Sequence, residues 1–380
     1  MELEFTPEQE DLREGARNVL TAECTPALVR ELVEARTAGK TATADALWSH
    51  FVELGWPALN VPEAAGGLGL GAAELAVLAE ELGRVMAPGP LLPTLSQYVP
   101  LIAALGSADQ QTALLGPVAS GSAGTLAIAE SSGEVDPALV STTATRRGNE
   151  IELTGIKHFV MEAPVADEII VVAREPGTTG DDGIGAYVVP SASVEITTIA
   201  ALDPSRELGT VALDGVTVSE ERMLGAPSAS TAAGIRDALE TATVALATET
   251  VGTLQTIFDI TLAYAKEREQ FGVPIGSFQA IKHKFADMLL LLERARALCY
   301  FAALTVAEHD ERSTVSVSMA KAAVGDAVAR IGKEGIQIHG GIGYTWEHDM
   351  HLYVRRVESS SALFGSAAQH RARIADAIGV

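Results

Sequence analysis

The chain is short of cations, of cysteine and of unbroken apolar runs. Lys plus Arg number 27 against 50 Asp plus Glu in 380 residues, a formal charge of −23. That shortage speaks against nucleic-acid binding, which Lys and Arg carry by neutralising phosphates. It speaks equally against adhesion to an anionic membrane surface. An anionic small ligand stays possible, because a few local cations or a helix N-terminus can hold one. Two cysteines, Cys24 and Cys299, cannot make a disulfide framework and lie in no metal-ligand spacing, so both are expected as buried thiols. The most apolar windows, such as Leu91–Leu105, are interrupted by Pro93, Gln97 and Pro100. None has the ~20 unbroken residues of a membrane span. The opening Met1–Phe5 lacks the basic-then-apolar pattern of a secretory leader. A cytoplasmic protein is the expectation.

What is present is ordinary globular material, 47% apolar and 20% charged. Single cores stop growing near ~250–300 residues, so two or three domains are expected. Three textures succeed one another: residues 1–120 read helical, 121–226 read as strands, and 227–380 read helical again. Thr6-Pro7-Glu8-Gln9 combines an N-cap, a first-turn proline and a capping-box Gln. A helix is expected over Gly71–Arg84, with Leu75, Leu78, Ala79 and Leu82 on one face. Short β-rich runs follow at Leu126–Ala129, Ile151–Leu153, Phe159–Met161, Ile169–Val172, Ala186–Val189, Val194–Ile196 and Val211–Leu213. Turn residues such as Gly148-Asn149 and Asp214-Gly215 divide them, as in a β-barrel or sandwich. After Pro227 four long helices are expected near 229–268, 277–309, 314–337 and 350–378, an antiparallel bundle. The fold class is therefore α+β.

The familiar catalytic signatures are missing: no HExxH, no paired CxxC, no P-loop, no GxSxG. His348 and His351 have no further ligands in reach, so no metal is expected. Gly340-Gly341-Ile342-Gly343 has no βαβ unit around it, although such backbone can approach a phosphate or a planar ring closely. Two segments carry more than packing requires. One is Tyr264-Ala265-Lys266-Glu267-Arg268-Glu269-Gln270-Phe271-Gly272, continued by Pro274–His283. Arg268 suits a phosphate there, and Phe271 and Phe278 suit a planar ring. The other is Ile336–Thr345, running toward Arg355-Arg356.

At these segments, and at Phe5–Arg17, Pro62–Gly69, Glu80–Arg84 and Asp203–Val218, the chain resembles the acyl-CoA dehydrogenase family with its related oxidases and monooxygenases. The resemblance covers nearly the whole length. It implies an N-terminal helical domain, a middle β-domain, a C-terminal four-helix bundle, FAD and a tetramer. It also implies α,β-dehydrogenation of an acyl-CoA thioester, with electrons passing to an electron-transfer flavoprotein. A carboxylate base takes the α-proton, and the β-hydrogen leaves as hydride. Carried over by position, Arg268, Gln270, Phe271, Phe278, Gln337, Gly340 and Gly341 match the residues that reach a neighbouring subunit's FAD.

The remaining positions depart from the family. Its strand Thr-Glu-Pro-Gly-Ala-Gly-Ser-Asp reads Ala129-Glu130-Ser131-Ser132-Gly133-Glu134-Val135-Asp136 here, without the flavin-side hydroxyl. Its Lys-x-Trp-Ile-Thr reads Lys157-His158-Phe159-Val160-Met161, so Phe159 can still stack on a ring while Met161 donates nothing. Counted from Ile336-Gln337 without a gap, the base-bearing Tyr-Glu-Gly-Thr reads Leu363-Phe364-Gly365-Ser366. The alternative base position, 22 residues before Tyr264, holds Ala242, followed by Thr243 where the family has Arg. Glu240 lies about 200° round the helix from Ala242, and Glu249 shares its face but is displaced by about 10 Å. Glu130 resembles the family's structural glutamate.

Two readings follow. In one, this chain is the base-lacking subunit of an α2β2 complex with a homologous acyl-CoA dehydrogenase subunit, as in bacterial members acting on bulky CoA thioesters. In the other, it is a homomeric flavin enzyme, either a dehydrogenase with Glu249 as displaced base or an oxidase or monooxygenase. A structural protein without flavin is a third class, which the retained segments oppose.

Overall fold

The computed structural model describes residues 5–380, so the leader reading at Met1–Glu4 lies outside the described residues. Helices run at Pro7–Glu23 (α1), Pro26–Thr37 (α2), Asp45–Glu53 (α3), Ala72–Arg84 (α4), Leu91–Pro93 (α5), Val99–Leu105 (α6) and Ala108–Ala119 (α7). Strands follow at Gly124–Ala127 (β1), Thr143–Arg147 (β2), Glu150–Met161 (β3), Glu168–Arg174 (β4), Ile184–Pro190 (β5), Glu195–Thr198 (β6), Leu208–Ser219 (β7) and Met223–Leu224 (β8). Then come α8 (Ala229–Glu267), a hairpin of β9 (Glu269–Gln270) and β10 (Val273–Pro274), α9 (Gln279–Ala307), α10 (Ser313–His339), α11 (Met350–Ala362) and α12 (Ala367–Ile378). The helical, β, helical order expected of an α+β chain is present. No helix among the described residues is long and apolar enough to cross a membrane.

Two compact units divide the chain. One comprises residues up to Glu34, Ala72–Ala87 and Thr243–Val380; the other comprises Ala35–Gly71 and Pro88–Ala242. Helical residues before 120 contribute to both.

The second unit is built on one eight-stranded sheet in the order β6-β7-β3-β2-β4-β5-β8, with β1 added parallel to β4. The two expected runs Ile151–Leu153 and Phe159–Met161 belong to the single strand β3. Its register slips between Leu153 and Thr154 and again between Lys157 and Val160. Bulges shift the inward phase of a strand, which is why its two ends read as separate strands. Strand β2 escapes sequence detection because it ends in Arg146-Arg147 and alternates weakly. Ile151, Leu153, Val160, Ile169, Val171, Val189, Val211 and Leu213 make the shared core of the sheet. Tyr98 lies directly over Gly124, where an added Cβ would come within 2.2 Å of the ring.

In the first unit, α8 is the organising element. Its threonines would be poor helix formers if exposed, but buried they find carbonyl acceptors. Thr248 donates to Val244 O at 2.8 Å and Thr261 to Ile257 O at 2.6 Å. Thr253 and Thr256 donate to Gly83 O (2.9 Å) and Arg84 O (2.7 Å), filling acceptors that the C-terminus of α4 leaves open. Both helices carry glycine at the crossing. A Cβ on Gly83 would lie 1.8 Å from Glu249 O, and one on Gly252 would lie 1.9 Å from Glu80 O. Cys24 and Cys299 are buried as expected, and burial pushes both thiols up to about 12.

One expectation is corrected here. The last helix is not continuous over 350–378: α11 stops at Ala362 and α12 starts at Ala367. Phe364 adopts φ 58° and Gly365 φ 101°, left-handed backbone that breaks the helical ladder. Ser366 then caps α12 in a reciprocal box with Gln369.

Because the α4–α8 crossing leaves no room for a methyl group, Gly83→Ala is expected to cost about 3 kcal/mol or more. Gly15→Ala, on a helix surface with nothing within 4 Å, should instead stabilise by about 0.5–1 kcal/mol. Thermal unfolding midpoints of the two variants check the contrast, and equal midpoints would contradict the packing argument.

Candidate functional site

At one end of the first unit, Tyr264 of α8 stacks on His339 of α10 with centroids 4.5 Å apart and an interplanar angle of 23°. This stack ties together the two segments singled out in the sequence. Beyond it, Arg268 N donates to Tyr264 O and Ile275 N to Arg268 O, both at 2.8 Å, closing the base of the β9–β10 hairpin. Phe271 and Gly272 form its tip with φ 55° and 77°. A turn with two positive φ values favours Asn-Gly, so phenylalanine costs about 1–2 kcal/mol there. Burial does not offset that cost, since Phe271 is 94% exposed. Its ring meets the edge of Phe278 at 6.2 Å.

Around this tip the functional groups are open. Arg268, Gln270, Phe278 and Gln337 are all exposed. Arg268 makes no ion pair among the described residues. Gln270 Nε2 donates only to Glu269 O, at 2.7 Å. Gly340 has φ 64° and ψ −140°, a conformation that side chains resist. Neither Gly340 nor Gly341 has any atom within 4 Å of where a Cβ would stand. Bare backbone, an uncommitted guanidinium and two ring faces suit a ligand with a phosphate and a flat ring system.

The sheet unit offers less. Glu130 is held by Lys157 Nζ (2.9 Å), Thr142 N (2.8 Å) and Thr142 Oγ1 (2.7 Å), and by the Ser141 hydroxyl. Against the opposing effect of burial, these bonds draw its carboxyl down to about 2. Lys157 is fully buried, and desolvation lowers its amine to about 8 while Glu130 pulls the other way. The pair is structural, as the resemblance implied for Glu130. Phe159 sits in the bulge of β3 with φ 57°, 39% exposed, beside Gly133. It is the aromatic face this unit presents there. Ala129 has no donor, and Met161 is buried with its sulfur 3.1 Å from Gln97 Nε2.

The positions that would carry a base hold none. Phe364 lies almost buried in the break between α11 and α12, its carbonyl 3.0 Å from His370 Nε2. Ala242 is buried, as is Thr243. Glu249 is buried too, and Arg356 of α11 donates to its Oε1 from Nη2 at 2.6 Å and from Nε at 3.1 Å. Two bonds from a buried guanidinium commit this carboxylate within the fold. Glu249 is thus an internal strut of its own unit, which goes against its reading as a displaced base. Sequence reasoning named Arg355-Arg356 but missed this pairing; a buried carboxylate on one helix and an arginine doublet on another were the available signals. His348 and His351 form no metal cluster, and none is found among the described residues.

The fold and this site geometry define the class, and the comparisons agree. The chain matches the models for the acyl-CoA dehydrogenase N-terminal domain over residues 6–122, middle domain over 125–221 and C-terminal domain over 233–379. It belongs to the acyl-CoA dehydrogenase family, whose cofactor is FAD. Among individual relatives, it is 34% identical to acyl-CoA dehydrogenase IpdE2 of Mycobacterium tuberculosis, covering 94% of this chain and 93% of that one. It is similar to the Tcur3481-Tcur3483 steroid ACAD structure, with 31% identity, TM-score 0.85 and coverage of 98% and 97%. It is also similar to a chain of the ChsE4-ChsE5 complex from Mycobacterium tuberculosis, with 26% identity, TM-score 0.88 and coverage of 100% and 99%. The bundle residues fit FAD through their bare glycine turn and free guanidinium, whereas Ala129 and Met161 supply no side-chain donor to it.

Three buried histidines give the first unit a pH dependence. His370 contacts Phe364 O through Nε2 and Ser318 Oγ through Nδ1, and burial lowers it to about 4. Burial also lowers His339, and burial with Arg355 and Arg30 lowers His351. Their unfolded forms take protons below pH ~6.5 while the folded forms stay neutral, so stability is lost as pH falls from about 6.5 toward 4. The unfolding midpoint should drop steadily between pH 7 and 5, and His370→Asn should flatten that slope. An unchanged slope would remove His370 as its source.

Proposed function

We propose that this chain acts in α,β-dehydrogenation of an acyl-CoA thioester as the base-lacking subunit of an α2β2 complex with a homologous subunit. The observation that carries the reading is an asymmetry. The surface formed by Arg268, Gln270, Phe271, Phe278, Gln337, Gly340 and Gly341 is open and uncommitted, while Phe364, Ala242 and the ion-paired Glu249 leave no carboxylate to take a proton. The partner would provide the base and hold the redox-active end of FAD. This chain would cover the remainder of the cofactor, with Arg268 countering phosphate charge and Phe271 and Phe278 closing over rings. FAD, when bound, supplies the hydride acceptor. The likeness to a structure described as a steroid ACAD and to a two-component complex supports a bulky thioester substrate and a heteromeric assembly. An electron-transfer flavoprotein would be the onward acceptor, and the cytoplasm the compartment.

A homomeric flavin enzyme is the second reading, supported by Phe159, which keeps a ring face open on the sheet unit. FAD content and native mass of the chain purified alone separate the two. Much less than one FAD per chain supports the dependent subunit, and one tightly held FAD per chain in a homo-oligomer overturns it.

In the assembled complex Arg268→Ala should lower FAD retention. Glu249→Gln should destabilise the fold by about 3–5 kcal/mol, since it removes the charge that balances the buried Arg356, yet leave turnover per folded complex nearly unchanged. A large loss of turnover in folded Glu249→Gln complex would favour the displaced base. Phe364→Glu alone should create no activity.

A further inference from the structure

On the first unit, a groove of about 430 Å³ opens between the end of α8 and the start of α9. Leu262, Ala265, Pro274 and Phe285 give it apolar walls, and Lys266 and Lys282 stand at its margin. Its construction is rigid. Phe285 is fixed by an edge contact to Phe258, with centroids 5.6 Å apart. Gly276 lets the turn before α9 press onto α8, since a Cβ there would come within 2.9 Å of Ala265 O. Ser277 Oγ donates to Pro274 O at 2.7 Å, which holds the same turn.

The chain carries 50 carboxylates against 27 cations, and neighbouring cations have found partners: Lys284 pairs with Glu334, and Arg330 with Glu334 and Asp287. Neither Lys266 nor Lys282 has an ion pair or a hydrogen bond from its side chain among the described residues, although Glu267 and Glu269 are close in sequence. Two uncommitted ammonium groups beside an apolar cleft match a ligand that is negative at one end and apolar at the other. The volume lies in the range of small-molecule sites.

We propose that this groove binds a small amphipathic anion, a carboxylate or phosphate head on an apolar body of about eight to twelve heavy atoms. The head sits between Lys266 and Lys282, and the body lies along Leu262, Ala265 and Phe285. Pro274–Ser277 is both a wall of the groove and the base of the hairpin that carries Phe271, so the bound anion braces that hairpin. This inference needs neither FAD nor a partner subunit, and its test is separate from theirs.

The test is calorimetric titration of the full chain with octyl phosphate, octanoate and uncharged octanol. Binding of at least one anion is expected, at least about tenfold tighter than octanol. The double substitution Lys266→Gln, Lys282→Gln, which changes only exposed side chains, should weaken that anion about tenfold or more. Whichever anion binds tighter identifies the head group. The proposal is overturned by no binding of either anion at about 5 mM, by octanol binding as tightly as the anions, or by unchanged affinity in the double variant.

Discussion

Glu249 ties α8 to two other helices of the first unit. Its carbonyl is the surface on which α4 rests at Gly83, and its carboxylate holds Arg356 of α11. One residue therefore sets the spacing of one helix by backbone contact and the placement of another by charge. Such a pair adds little net stability over an apolar one, but breaking it leaves a buried charge alone, so the arrangement admits few alternatives. Through α11 the constraint reaches the break at Leu363–Ser366, where His370 and Ser318 hold the backbone that follows. Phe364, at the position the resemblance assigns to a catalytic carboxylate, thus lies in a held turn between α11 and α12.

Two aromatic residues in strained backbone stand open on the surface of the two units. Phe271 and Phe159 both have positive φ, and neither regains that cost by full burial. Around Phe271 the neighbouring groups are free; around Phe159 the polar groups are already engaged, Glu130 with Lys157 and Met161 with Gln97. The two surfaces differ in what they can offer a cofactor, and that difference underlies the proposed subunit role.

The charge distribution has the same unevenness. Most of the scarce cations are taken up by internal pairs, such as Arg17 with Glu81, Arg296 with Glu80 and Arg36 with Glu207. Lys266, Arg268 and Lys282 stay uncommitted within one short stretch. In an acidic protein, that makes the α8–α9 turn a local concentration of unpaired positive charge.

Much of this was legible in the sequence. Capping boxes, helix periodicity and the glycine and phenylalanine spacing of the α8–α9 and α10–α11 turns are local patterns, and local patterns survive in a string of letters. So did the absence of glutamate at 364 and 242, which needs only an unbroken count. What the tertiary structure decided involves partners distant along the chain. Glu249 reads as a candidate base until Arg356, 107 residues on, is seen to hold it. The helix over 350–378 reads as continuous only when Gly365 and the Ser366–Gln369 capping signal are passed over; what the sequence does not show is that Phe364 is left-handed and that His370, itself in contact with Ser318 of α10, holds its carbonyl. Met161 reads as a lost donor, and only packing against Gln97 turns it inward. Identity and periodicity are properties of neighbours in sequence, whereas protonation and backbone strain are settled by neighbours in space.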